Sequence, residues 1–371
     1  MKKLLICFML LGCSSISHCQ SLEEYETAAS KGDAKAQAVL GSLYIRGNVV
    51  KQDFEEAAKW MKKSAEQGND LGQYGLGWLY FKGYGVEKNY TESVKWYKKA
   101  AEHGNPDAQS DLAVCYEQGL GVTKNYAEAL RWFRKAAEQG SSYAQYCVAD
   151  YYMEGTGVPI NYEEASKWYR LSGEQGYATA QVKLGDLYYL GKGVAKNNSE
   201  AFKWYMKAAE QGNVDGQLDV GDCYKNGYGV NINYTEAAKW YNKAADQGNM
   251  DAKYNLGILY FYGNGVPQNH EMAFNYFMTA AKQGYNAAQN NVGVCYKKGY
   301  GTTQNLGEAF KWYMKAAEQG NADGMFNVGA CYYNGEGVQK DEQKGIKWLT
   351  AAARKGNPNA QKTLKDLNIK W

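Results

Sequence analysis

The sequence predicts an all-α fold: a right-handed α-solenoid (superhelix) of nine 36-residue helix–turn–helix repeats with flanking half-repeats. Two observations predict it: glycines that recur at a constant interval, and apolar ladders at helical spacing between them. The first glycine set runs 36 residues apart without insertion or deletion, at Gly32, Gly68, Gly104, Gly140, Gly176, Gly212, Gly248, Gly284, Gly320 and Gly356. A fixed period of this length is typical of repeat architectures.

The repeat boundaries follow from that glycine set. Residues 1–20 form a separate leader, and residues 21–371 form the repeat domain. The domain starts with a half-repeat at 21–32 and ends with another at 357–371. The nine full repeats between them are 33–68, 69–104, 105–140, 141–176, 177–212, 213–248, 249–284, 285–320 and 321–356.

The composition excludes several other classes of protein. The chain has 371 residues, with 42 glycines, 33 tyrosines and only 4 prolines. Such a tyrosine content is far above that of a disordered chain. The net charge is +3, and Lys2 and Lys3 supply two of these charges, so the rest of the chain carries +1. This balance gives no electrostatic footprint for nucleic acid, and we expect no nucleic-acid partner.

Each repeat is predicted to contain two helices joined by a glycine turn. In the second repeat the first helix spans residues 71–82, and Gly83-Tyr84-Gly85-Val86 breaks it, since glycine adopts the positive φ that ends a helix. Both turn glycines recur through the repeats; Val49 is the one exception, in the first. The second helix begins at an N-cap Asn or Asp in every repeat. These residues are Asp53, Asn89, Asn125, Asn161, Asn197, Asn233, Asn269, Asn305 and Asp341.

Two aromatic ladders are predicted to form the core. In the first helix a small residue, an apolar residue and a tyrosine follow one another at i, i+4 and i+8, which marks one buried stripe. The tyrosines are Tyr44, Tyr80, Tyr116, Tyr152, Tyr188, Tyr224, Tyr260, Tyr296 and Tyr332. The second helix carries Trp60, Trp96, Trp132, Trp168, Trp204, Trp240, Tyr276, Trp312 and Trp348. One helix pair cannot bury such a face alone, but stacked neighbours can.

The first twenty residues resemble a secretory signal. Lys2 and Lys3 precede an apolar stretch from residue 4 to 11, followed by small and polar residues. Leu10-Leu11-Gly12-Cys13 resembles a bacterial lipoprotein box, in which Cys13 is lipidated and becomes the mature N-terminus. The alternative is simple cleavage after Cys19. We therefore expect an exported protein: a lipoprotein anchored to the outer membrane, or a periplasmic or secreted protein.

The repeat consensus resembles the Sel-1-like repeat, a relative of the tetratricopeptide repeat. Residues 255–284 carry it as Leu256-Gly257, Tyr260, Gly263, Gly265-Val266, Ala273, Tyr276, Ala280-Ala281 and Gly284. Tyr276 departs from the usual Trp, which is a conservative aromatic exchange. The resemblance implies an α-solenoid that acts as an adaptor or scaffold for other proteins, often in bacterial envelopes.

The cysteines are predicted to be free and buried. Cys115, Cys223, Cys295 and Cys331 occupy one repeat column in which other repeats carry Leu, so this column is an apolar packing site. A cysteine-rich branch of the family pairs cysteines between the two helices of each repeat. No repeat here carries such a pair.

No pattern of catalytic or metal-binding residues stands out from the repeats. His18, His103 and His270 are too scattered to share a metal ion. Some relatives carry a β-lactamase label, but the Ser-x-x-Lys and Lys-Thr-Gly motifs of that enzyme class are absent. We expect no enzyme activity, no cofactor, and a monomer that meets a membrane only through an N-terminal lipid.

A protein- or peptide-binding scaffold is the predicted function, because solenoids present an extended concave surface. The alternatives are a cell-wall glycan-binding protein that uses exposed aromatics, and a hydrolase. The variable positions of the first helices lie at i, i+4, i+7 and i+8 on one helical face. We expect this face to be exposed and to bind the partner. Its candidate residues are Tyr74, Trp78, Phe81, Tyr254, Ile258, Phe261, Tyr262, Asp150, Asp186, Asp219 and Asp222. The aspartates favour a basic or extended peptide.

Overall fold

A computed structural model describes residues 22–371. This range forms twenty α-helices and contains no strand. The leader and Cys13 lie outside the described residues. The chain divides between Lys196 and Asn197 into two compact units. None of the helices in residues 22–371 combines the length and the apolar composition needed to cross a membrane.

The first unit contains ten helices. They are α1 (Leu22–Ser30), α2 (Ala34–Arg46), α3 (Phe54–Glu66), α4 (Asp70–Lys82), α5 (Tyr90–Glu102), α6 (Pro106–Gln118), α7 (Tyr126–Glu138), α8 (Ser142–Glu154), α9 (Tyr162–Glu174) and α10 (Ala178–Leu190).

The second unit contains the other ten helices. They are α11 (Asn198–Glu210), α12 (Val214–Asn226), α13 (Tyr234–Asp246), α14 (Met250–Tyr262), α15 (His270–Lys282), α16 (Asn286–Lys298), α17 (Leu306–Glu318), α18 (Ala322–Asn334), α19 (Glu342–Arg354) and α20 (Pro358–Asp366).

Helix pairs stack within each unit. We call the even-numbered helices first helices and the odd-numbered ones second helices. Within each unit, each helix packs on its neighbours in sequence, and the first helices α2 and α4, and likewise α16 and α18, also touch. This nearest-neighbour packing confirms the predicted all-α solenoid of helix pairs.

The helix starts and the turns follow the predicted capping chemistry. The Asn89 side chain accepts a hydrogen bond from the Glu92 N–H, and every other predicted second-helix cap accepts an equivalent bond in its first turn. Each first helix of a full repeat ends at a left-handed glycine, such as Gly83 with φ of 72°. The N–H of the second-helix cap then donates to the carbonyl of the ladder tyrosine, as Asn89 does to Tyr80.

The second glycine of each turn touches the preceding repeat. A Cβ at residue 85 would lie 1.9 Å from the carbonyl oxygen of Phe54, which begins α3. Gly193 meets Tyr162 in the same way within the first unit, and Gly265 meets Tyr234 within the second. Val49 occupies this position in the first repeat and is 58% exposed. The helix before that repeat is α1, whose described part starts at Leu22, so no carbonyl of the described residues takes the place that Phe54 has for Gly85.

The deepest aromatic column lies one residue beyond the predicted one. Only Trp96, Trp132 and Trp204 of the second-helix ladder are fully buried; its other members and the ladder tyrosines are half-buried. The residues that follow the ladder are all buried, namely Met61, Tyr97, Phe133, Tyr169, Tyr205, Tyr241, Phe277, Tyr313 and Leu349. They pack over a small residue of the first helix: a Cβ at Gly77 would lie 2.7 Å from the Tyr97 ring.

Buried glutamines link three helices at a time. Gln37 donates from Nε2 to the Ala29 carbonyl of the preceding second helix at 3.0 Å, and its Oε1 accepts from Gln67 at 2.8 Å. Gln109 and Gln145 repeat the arrangement in the first unit. In the second unit, Gln217 and Gln289 do the same. Helix-end carbonyls that lack an intrahelical partner are thereby satisfied inside the core.

The turn contact predicts a difference between two glycine substitutions. Gly121→Ala and Gly104→Ala both place a side chain at positive φ, a strain of about 1–2 kcal/mol. At residue 121 the new Cβ would also lie 2.3 Å from the Tyr90 carbonyl, whereas at residue 104 it meets nothing within 4 Å. We expect Gly121→Ala to lower the free energy of unfolding by roughly 1–3 kcal/mol more than Gly104→Ala, by analogy with overpacking. Urea denaturation of both variants checks this; equal losses would contradict the contact.

Candidate functional site

The second unit brings four predicted residues together around one cavity. Tyr254, Ile258, Phe261 and Tyr262 all lie on α14, at i, i+4, i+7 and i+8. They line a cavity of about 320 Å³, which we call the aromatic pocket. Its remaining lining residues are Phe277 from α15 with Asn291 and Val294 from α16. This volume is at the lower end of the range of about 300–1,000 Å³ for small-ligand sites.

The mouth of the aromatic pocket is rich in rings. Tyr262 is 63% exposed and makes an edge contact with Phe261 at 5.1 Å between ring centroids. Phe261 also contacts Tyr300 at 5.5 Å, and Tyr300 stacks on His270 at 4.8 Å. His270 is therefore part of an aromatic cluster. Exposed aromatic rings beside a preformed cavity are the side chains that most often carry binding energy at interfaces.

The exposure predicted for the first unit is wrong at two positions. Tyr74 is 1% exposed and Phe81 is 7% exposed, while Trp78 is half-buried. Tyr74 packs in the core against Tyr97, and its hydroxyl donates to Asp111 Oδ2 on the next first helix, at 3.3 Å. Phe81 packs against Tyr90 at 5.2 Å between ring centroids. Variable positions of the first helices therefore include core positions as well as surface ones.

Asp150 and Asp222 accept hydrogen bonds from tyrosines of their own repeats. The Tyr169 hydroxyl donates to Asp150 in the first unit, and the Tyr241 hydroxyl donates to Asp222 in the second, at 2.6 Å. Each tyrosine is one of the buried residues that follow the second-helix ladder, and it lies 19 residues after its aspartate. Burial raises the pKa of the Asp150 carboxyl above its usual range. Asp222 also forms an ion pair with Lys225 at 3.0 Å. These contacts reduce the charge that both aspartates offer to a ligand.

The other two predicted aspartates are half-buried. Asp186 lies on α10 in the first unit, and Asp219 lies on α12 in the second. The second unit thus contains Asp219, Asp222 and the aromatic pocket, while the first contains Asp150 and Asp186.

A buried carboxyl in the first unit was not predicted. Asp111 on α6 is buried, and removal from water raises its pKa to about 7. Asp107, one helical turn earlier, has its pKa raised to about 6 by the same cause. Comparing the repeats column by column would have flagged Asp111, because the same position carries Gly75 in the repeat before it and Cys147 in the repeat after it.

A row of amides in the second unit was also missed. Asn255, Asn291 and Asn327 occupy the Asp111 column in three consecutive repeats, on α14, α16 and α18. All three side chains are half-buried. We call these residues the amide row. Asn291 Nδ2 donates to the Tyr254 hydroxyl at 3.4 Å, so the row adjoins the aromatic pocket.

The ladder tryptophans offer little free ring surface for sugar stacking. A lysine three residues later lies over each of six indoles in the two units: Nζ is 3.7 Å from the Trp240 ring centroid and 4.4 Å from that of Trp132. Trp60, Trp96, Trp204 and Trp312 are covered in the same way. These cation–π contacts occupy the faces on which a sugar would stack.

The cysteines in residues 22–371 are free and buried: Cys115, Cys147, Cys223, Cys295 and Cys331. Burial raises the pKa of Cys115, Cys223 and Cys295 to about 12 and that of Cys331 to about 11, so these thiols stay protonated and weakly reactive. Within the same range, no three His, Cys, Asp or Glu side chains are grouped as metal ligands would be.

Nine helix pairs that repeat the same glycine turn define a helical-repeat protein, and one of its first helices lines a pocket. The chain belongs to the Sel1 repeat family, whose pattern matches residues 34–69, 70–105, 106–141, 142–177, 178–213, 214–249, 251–285, 286–321 and 322–357.

Two solved bacterial structures are similar to this chain. The first is c5321, a protective antigen of uropathogenic Escherichia coli with an SLR fold: 34% identity, 95% of this chain and 84% of that one covered, and a TM-score of 0.81. The second is a Sel1 repeat protein from Oxalobacter formigenes: 36% identity, 66% and 96% covered, and a TM-score of 0.58. No curated protein matches the chain at a significant level.

Asp111 predicts a pH-dependent stability of the first unit. The folded chain keeps a proton on Asp111 up to about pH 7, whereas the unfolded chain releases it near the ordinary value of 3.8. Stability should therefore fall as pH rises through this window. We expect Asp111→Asn to weaken this dependence, measured by hydrogen exchange of α4–α6 at pH 5 and pH 8.

Asp70→Asn is the control for this measurement, because Asp70 is exposed at the start of α4. The control should keep the pH dependence of the parent protein. An identical pH dependence in the Asp111→Asn protein would show that Asp111 is ionised in the folded state.

Proposed function

We propose that this chain is a non-enzymatic scaffold that binds a protein or peptide on its first-helix face, the concave side of the solenoid. The observation that carries the proposal is the aromatic pocket on α14 and α16. It combines a preformed cavity with an exposed ring, Tyr262, and such anchor sites dominate binding at protein interfaces. Membership of the Sel1 repeat family, whose members are typically interaction proteins, supports the same function.

The competing functions receive less support. A cell-wall glycan binder stacks sugars on free aromatic faces; lysines cover six of the ladder tryptophans, which leaves this role to exposed tyrosines such as Tyr262. A hydrolase of the β-lactamase-labelled branch needs an activated nucleophile. The sequence contains neither motif of the serine enzymes, and the buried thiols of Cys115 and Cys223 have raised pKa values.

Substitutions at the pocket should weaken partner capture. We expect Ile258→Ala combined with Tyr262→Ala to reduce capture from an envelope extract by at least tenfold, the loss of about 1.4 kcal/mol or more that a hot spot implies. Tyr234→Ala is the matched control, since Tyr234 is an exposed tyrosine of the second helix α13.

Quantitative mass spectrometry of cross-linked complexes measures this, with circular dichroism to verify folding. Phe81 is unsuitable for such a test because it is buried. Equal capture by the pocket variant and the control would show that the pocket is not part of the binding surface.

We also propose that the chain is exported and anchored through Cys13. The lipoprotein-like Leu10-Leu11-Gly12-Cys13 supports the anchor. The relative from Escherichia coli is described as a protective antigen, which supports a surface-accessible location for this chain as well.

Anchoring through Cys13 has a direct test. Wild-type protein should incorporate labelled fatty acid and partition with membranes, and Cys13→Ala should abolish both, because the thiol is the acyl acceptor. Cys19→Ala is the control and should leave both unchanged. Release of a soluble mature form that begins at Gln20 would contradict the anchor.

A further inference from the structure

The amide row spans three neighbouring first helices. Asn291 on α16 reaches Tyr254 on α14, and Asn327 Nδ2 on α18 donates to Asn290 Oδ1 on α16 at 2.8 Å. These contacts fix the row across consecutive repeats. Since packed helix axes lie about 8–10 Å apart, successive amides are separated by a similar distance.

Each amide of the row uses only part of its hydrogen-bonding capacity. An asparagine side chain has two donor hydrogens and an acceptor oxygen. Asn255 Oδ1 accepts from Lys225 at 3.0 Å, while Asn291 and Asn327 each donate once through Nδ2. Half-buried amides with remaining donors and acceptors can pair with the N–H and C=O groups of another polypeptide.

Two ion pairs lie beside the row, and the aromatic pocket itself carries no charge. Lys225 pairs with Asp222 at 3.0 Å, and Lys297 pairs with Glu336 at 2.5 Å. The seven residues that line the aromatic pocket include no acidic or basic side chain. A charged side chain placed against this apolar lining would be costly to desolvate, so the pocket favours an uncharged group.

We propose that the amide row and the aromatic pocket together bind an extended, uncharged polypeptide segment that carries one large apolar side chain. The amides pair with the main chain of the segment, and the apolar side chain enters the pocket. A polyproline II conformation advances about 9 Å over three residues, close to the spacing of successive first helices. Each repeat then receives three residues of the ligand. This inference rests on the proposed scaffold function and specifies its ligand.

The pocket size agrees with one anchor side chain. A cavity of about 320 Å³ accommodates a single aromatic or branched aliphatic group, and Phe261, Phe277 and Ile258 supply the apolar contacts. Main-chain pairing alone carries no sequence preference, so the anchor determines which segments bind.

A displayed library of random 12-residue peptides tests the ligand class. It is selected on the full chain, and the enriched peptides are synthesised and measured by calorimetry. We expect peptides with a central Trp, Phe, Tyr or Leu and little net charge. Their affinity should change less than about threefold between 50 and 500 mM salt, because neither the amides nor the pocket lining carries a charge.

Substitutions then separate the two parts of the site. Asn291→Leu and Asn327→Leu should each weaken binding of the selected peptide by roughly threefold to tenfold, the loss of one net hydrogen bond. Asn242→Leu is the matched control, because Asn242 is a half-buried asparagine on the second helix α13 that bonds only to the Ala238 carbonyl. Asn255→Leu is a second row variant if Asn291→Leu disturbs folding. Alanine in place of the peptide anchor should abolish binding.

The outcomes distinguish this inference from the general function. Enriched peptides that are rich in Lys and Arg, lose affinity steeply with salt and bind the row variants normally would overturn the inference and leave the scaffold function intact. Enriched peptides that bind the Ile258→Ala, Tyr262→Ala protein as well as the wild type would overturn both. The same holds if no peptide is enriched.

Discussion

A single backbone contact sets the geometry on which the remaining structure depends. In most repeats the second glycine of the turn lies so close to the first residue of the preceding second helix that no side chain fits between them; a Cβ at Gly121 would lie 2.3 Å from the Tyr90 oxygen. The left-handed φ of the same glycine turns the chain into the next helix. Because both requirements fall on one residue, any change in the length of such a turn would break the contact, which favours the constant 36-residue interval from Gly68 to Gly356.

That constant interval explains why much of the fold was predictable. Repeated positions reveal what they do: a glycine that recurs at 36 residues ends a helix, and an Asn that recurs after it caps the next one. Depth within the core was less predictable, since Trp168 and Tyr169 are both aromatic and adjacent. Tyr169 is the deeper because the residues that follow the second-helix ladder lie over the small residues of the first helix. Helical periodicity has too little angular resolution to separate two neighbouring residues at the edge of one stripe.

The candidate site was predictable only in part, because variation between repeats has two physical causes. A position varies if solvent tolerates any residue, as at Tyr262, or if partners in the core vary with it, as at Tyr74 and Asp111. The sequence pattern does not separate these cases. Comparing two columns does separate them. Asp150 pairs with Tyr169 and Asp222 pairs with Tyr241, both 19 residues apart, and this constant separation indicates a hydrogen bond within the repeat.

One column shows how identical architecture serves two purposes. In the first unit its member Asp111 is buried and accepts a hydrogen bond from the Tyr74 hydroxyl, so it bonds within the protein core. In the second unit the same column carries Asp219 and then Asn255, Asn291 and Asn327; these three amides are half-buried and keep unused donors and acceptors. Burial raises the pKa of the Asp111 carboxyl, whereas an amide stays neutral at every pH. An amide can therefore stand beside an apolar pocket without the desolvation cost of a charge. This favours main-chain recognition in the second unit, where the pocket lies.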